Sequence, residues 1–157
     1  MYRRGQSRYR FWTSLSSLLR TRFALARLTA CPAGRACIVA LEKGRVDVAR
    51  QLVQTVTLPN LLSAQSLAYL HWIRGVLATA DPVNLAIAEQ EMQLAVDGRL
   101  RTSNDRCLAT ATLAEIVALS QDFNRANSLL DNASKIPHST AARDYIDTLR
   151  ARFREAK

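Results

Sequence analysis

Three residues that a helix interior tolerates poorly, Pro59, Gly98 and Pro137, follow one another at intervals of 39 residues in a chain of 157. Apolar residues repeat at nearly the same interval: Ala49-x3-Val53-x2-Val56, Ala88-x3-Met92-x2-Ala95 and Ala126-x3-Leu130-x2-Ala133, with first positions 39 and 38 apart. Steps of four and three put the members of each set on one helix face. When breakers and apolar positions share a period, the chain is built from two-helix units. Each unit has a face that it cannot bury alone and must stack on the next.

The spacing predicts helices over residues 33–43, ended by Gly44, and 45–57, ended by Pro59. A second pair covers 61–79, begun near Asn60 or Ser63, and 82–97, capped by Asp81 with Pro82 in the first turn. A third covers 104–120, capped by Ser103 or Asn104, and 122–135, capped by Asp122. A last helix over 139–155 is capped by Ser139, with Arg143–Asp147 and Asp147–Arg150 as surface pairs worth a few tenths of a kcal/mol each. Its greater polarity suits the solvating cap that stacked repeats need at their end. Composition agrees with an all-α chain: 5 Gly, 4 Pro and 6% aromatic residues disfavour a turn-rich β-sandwich, and 48% hydrophobic residues exclude general disorder.

These residues resemble the tetratricopeptide-type repeats. Gly44 with Ala49, Gly75 with Ala88, and Ala114 with Ala126 stand where that family places small residues at helix crossings, and Leu130, Ala133 and Pro137 match its second-helix ending. The early aromatic positions of the family are unmatched in the first and third repeats, and the period exceeds its usual length of about 34. The period is closer to the divergent repeats of MalT-type bacterial regulators, and LEKGRVDVARQLV is similar to repeat tails of envelope-assembly proteins. The resemblance, which covers about residues 33–137, implies an all-α, right-handed helical-hairpin solenoid of about three pairs plus a C-terminal capping helix. It also implies a protein or peptide partner held in a groove lined by the first helix of each pair. Tyr69, His71, Arg74, Asn104 and Arg106 are the candidate groove residues, the arginines suited to carboxylates. Two and a half to three repeats are near the minimum for independent stability, which leaves a homodimer open.

Charge sets the first residues apart. The net charge is +9, yet the first acidic residue is Glu42, and residues 1–41 hold eight arginines and no lysine. The organisation expected is a basic N-terminal segment, 1–32, followed by a repeat domain, 33–157. Phe11, Leu15, Leu18, Leu19, Phe23 and Ala26 fall at mostly helical steps, and Cys31-Pro32-Ala33-Gly34 would end such a helix. This segment reads as a first helix packed on the domain, with several alternatives. An acid-free, arginine-rich amphipathic start is the composition of a mitochondrial transit peptide and also suits an anionic membrane. Leu28-Thr29-Ala30-Cys31 resembles a lipobox, although Arg20, Arg22 and Arg27 interrupt its apolar stretch. Arg3, Arg4, Arg8, Arg10, Arg20 and Arg22 are candidate contacts to membrane or nucleic-acid phosphates.

No uninterrupted apolar run is long enough to span a bilayer, and three cysteines, Cys31, Cys37 and Cys107, without CxxC spacing point to free thiols in a reducing compartment. A cytoplasmic protein with optional membrane association is therefore expected. His71 and His138 belong to no zinc pattern, and no phosphate loop, dinucleotide fingerprint or nucleophile elbow occurs. Glu89 and Glu91, two apart on a helix, make a poor acid–base pair. The expectation is a non-enzymatic interaction adaptor without cofactor or metal, with a nucleic-acid-associated regulator using the arginine-rich arm as the second reading.

Overall fold

The computed structural model describes residues 36–37, 39–40, 43–56, 59–80 and 82–156. Every regular element among them is helical. The chain divides into two compact units, Met1–Thr55 and Val56–Lys157. The sequence-based boundary after residue 32, the helix expected over 8–30 and the arginines Arg3, Arg4, Arg8, Arg10, Arg20 and Arg22 lie outside the described residues, as does the cap Asp81.

In the first unit, α1 (Val46–Gln54) follows Gly44, whose φ of +69° is the left-handed conformation that ends a preceding helical stretch. Arg45 donates its backbone N–H back to the Ala40 carbonyl at 2.8 Å. A Cβ on Gly44 would meet nothing within 4 Å, so Gly44 serves the turn and not a helix crossing. Ala49 is fully buried, and its carbonyl accepts the Cys37 thiol at 3.5 Å.

The second unit holds α2 (Ala64–Ala78), α3 (Leu85–Asp97), α4 (Ser103–Leu119), α5 (Phe123–Lys135) and α6 (Thr140–Glu155). Consecutive helices pack on one another, and α6 also packs on α4. Gly98, just past α3, lies against Ala68 early in α2, while Gly75 late in α2 lies against Ala88 and Met92, so α2 and α3 run antiparallel. The side chains of Ser63, Thr102 and Ser139 cap α2, α4 and α6 in the same way, each accepting the backbone N–H three residues on. These three caps are 39 and 37 residues apart. The cap of α4 is Thr102, and neither Ser103 nor Asn104 as expected, because its extended backbone aims the hydroxyl at the Asp105 N–H. Helix α3 begins after a 3-10 turn, Pro82–Asn84, later than the proline position implied.

Two of the three small-and-large sets read from the sequence form core, whereas in the first only Ala49 is buried, Val53 is half-buried and Val56 falls beyond the end of α1. Ala88, Met92 and Ala95 of α3 and Ala126, Leu130 and Ala133 of α5 are completely buried. In α6, Ala142, Ile146 and Leu149 repeat that register, and Phe153 extends it to meet Phe123 edge-on. Helix α4 is buried on every side from Cys107 to Ala118. It accommodates Thr110 and Thr112 there by returning their hydroxyls to the Arg106 and Leu108 carbonyls at 2.8 and 2.9 Å. Small residues let the helices come this close: a Cβ on Gly75 would sit 3.1 Å from the Ala88 carbonyl oxygen.

Candidate partner-binding surface

Helix α3 is apolar on two sides, as the run LAIAEQEMQLAVD implies. One side carries Ala88, Met92 and Ala95 into the core. On a neighbouring side Ile87 is 53% and Leu94 45% exposed, and Val83 in the preceding 3-10 turn is exposed as well. Neither Ile87 nor Leu94 stands out when only the repeating register is followed. The clue is that α3 carries apolar residues, Ile87 and Leu94, outside its core register as well as within it, since a helix serving one core needs only one apolar stripe.

Next to this row, α2 presents Leu67, His71, Arg74 and Ala78, all half-buried and spaced by four, three and four residues. His71 Nδ1 donates to the Glu91 carboxylate at 2.7 Å, tying α2 to α3 at the position between Ile87 and Leu94 on the same helix face. Arg74 makes no ion pair among the described residues. These two of the five candidate groove residues therefore border one surface.

The other three are placed differently. Tyr69 is 2% exposed, stacked on Trp72, with its hydroxyl donating to Asp105 at 2.6 Å, so it belongs to the core and not to a groove. Asn104 spends its side-chain oxygen on the Ser139 backbone N–H at 2.8 Å, joining the starts of α4 and α6. Arg106 is exposed on the first turn of α4. Beyond that turn α4 offers no open side, so the groove expected along the first helix of each pair is closed over this stretch.

Two buried carboxyls link the helices. Asp105 is held by Tyr69. Glu115, 5% exposed, accepts the Tyr145 hydroxyl at 2.8 Å and lies 3.6 Å from the Arg152 guanidinium, linking α4 to α6. Burial outweighs both partners and pushes the Glu115 carboxyl up to about 7. Burial alone raises the Cys37 and Cys107 thiols to about 11, far from the low values of reactive cysteines. Among the described residues no three His, Cys, Asp or Glu side chains gather as a metal site, and no helix is long and apolar enough to cross a membrane. No protein-family model, curated protein or solved structure matches the chain.

Proposed function

We propose that this chain is a non-enzymatic adaptor of the helical-repeat kind, close to the tetratricopeptide pattern, that binds an amphipathic helix of another protein along α3. The observation that carries this reading is the exposed pair Ile87 and Leu94 on a helix whose neighbouring core register is already fully buried. Exposed apolar rows of this kind receive the i, i+3, i+4, i+7 anchors of a partner helix. His71 and Glu91 form a polar rim, and Arg74 supplies a charge for a carboxylate at the edge. The helix-pair register and the repeated caps support the solenoid part of the reading.

The test compares the full chain with an Ile87→Ser/Leu94→Ser variant in affinity capture from the native host and in sedimentation equilibrium. Both side chains are exposed, so far-UV circular dichroism should be unchanged. A discrete near-equimolar protein that the variant loses supports the reading. A partner set identical for both chains overturns it, and a dimer that the variant turns into a monomer would replace the heterologous partner with a second copy.

A further inference from the structure

The starts of α4 and α6 adjoin, because the Asn104 side-chain oxygen takes the Ser139 N–H at 2.8 Å. Arg106 and Arg143 occupy equivalent places there, four residues past the caps Thr102 and Ser139. The chain leaving α3 passes the same end: Gly98 lies against Ala68, and Tyr69 in the second turn of α2 reaches Asp105 in the first turn of α4. Arg99 and Arg101 are therefore brought there too. All four arginines are exposed, and none has a carboxylate within ion-pair distance among the described residues. Arg125, Arg150 and Arg152, by contrast, are paired with Glu89, Asp131 and Glu115 respectively. Lys135, in the last turn of α5, adds a fifth exposed cation, against the exposed carboxylates of Asp97 and Asp144. Leu61, two residues before the Ser63 cap of α2, belongs to this end and is 79% exposed.

We infer that this end of the second unit is a peripheral membrane-contact surface for anionic lipid headgroups, with Arg99, Arg101, Arg106 and Arg143 on the phosphates and Leu61 in the acyl boundary. Unpaired arginines supply Coulomb attraction to a negative surface, and an exposed leucine beside them gains by leaving water only if the partner has an apolar layer. A nucleic-acid strand offers phosphates without such a layer. It rewards exposed aromatic side chains for stacking, and none of the described aromatic residues is exposed. The contact is independent of the α3 row proposed for a protein partner.

The experiment is co-sedimentation of the full chain with vesicles of phosphatidylcholine alone or mixed in equal parts with phosphatidylserine. Arg99→Ser/Arg101→Ser/Arg106→Ser/Arg143→Ser should weaken binding to the mixed vesicles by roughly 600-fold, at roughly fivefold per arginine. The four Arg→Lys changes should retain most of it, because the attraction is of charge and not of a bidentate fork. Leu61→Ser should remove the part of the binding that resists added salt. A control with Arg3, Arg4, Arg8 and Arg10 changed to serine separates this surface from the arginine-rich start of the chain, and circular dichroism verifies folding. Unchanged vesicle binding by the four-serine variant overturns the inference, as does binding that the variant loses only for a DNA or RNA duplex.

Discussion

The Tyr69 hydroxyl and the Asp105 carboxylate meet at 2.6 Å across 36 residues of sequence, each residue only 2% exposed. Asp105 also sits in the first turn of α4, where a negative charge is favoured by the helix N-terminus. Tyr69→Phe leaves this buried carboxylate without its hydroxyl donor. The expected loss is about 1–3 kcal/mol, measured by urea unfolding. An unchanged midpoint would show that water or a rearranged neighbour satisfies Asp105.

Glu115 makes stability depend on pH in an unusual direction for a carboxyl. Its folded value of about 7 lies above its ordinary 4.5, so below pH 4.5 it is protonated in both states and its contribution is at its most favourable. Between those values the unfolded chain ionises first, and stability falls as the pH rises through 7. Glu115→Gln, which stays neutral, should flatten this part of the curve and leave the variant more stable than the parent at pH 8, provided the amide preserves the bond to Tyr145. Urea midpoints of both chains at pH 5 and pH 8 check the sign.

Gly98 ends α3 with an extended backbone, and its constraint is space: an added Cβ would stand 2.6 Å from the Ala68 Cβ. Gly98→Ala is expected to cost about 1–3 kcal/mol through overpacking. Ala68→Gly in the same chain should restore part of that loss, so a double-mutant cycle on thermal unfolding should show coupling between the two sites.

Gln121, between α4 and α5, has a φ of +67° without being glycine. The left-handed conformation costs a non-glycine residue roughly 1–2 kcal/mol. Gln121→Gly should therefore stabilise the chain by up to about 1 kcal/mol, after the greater freedom of glycine in the unfolded state is deducted. A lower melting temperature would mean that the Gln121 side chain contributes more than the backbone strain.

The buried thiols of Cys37 and Cys107, raised to about 11, should resist iodoacetamide at pH 8 in the folded protein and react in urea. Peptide mapping reads each site separately. Rapid labelling of Cys107 without denaturant would mean that α4 opens readily.

The positions of the helices in the second unit and their buried sides are legible in the sequence, because they rest on interactions within one or two turns. Ser63, Asp122 and Ser139 cap as their residue types require, and Ala88-x3-Met92-x2-Ala95 turns inward because four- and three-residue steps lie on one side of any α-helix. Of the candidate surface, His71 and Arg74 were legible as polar residues on a helix, but their neighbours Ile87 and Leu94 were hidden within an apolar run. The fate of Tyr69, Asp105 and Glu115 could not be read along the chain, since a polar side chain is buried only where a partner 30 or 36 residues away is brought to it. The same holds for the unpaired arginines. A local sequence settles whether a helix forms and which side avoids water, whereas the pairing or exposure of a charge depends on which helix ends become neighbours, and the packing of the helices within the second unit decides that.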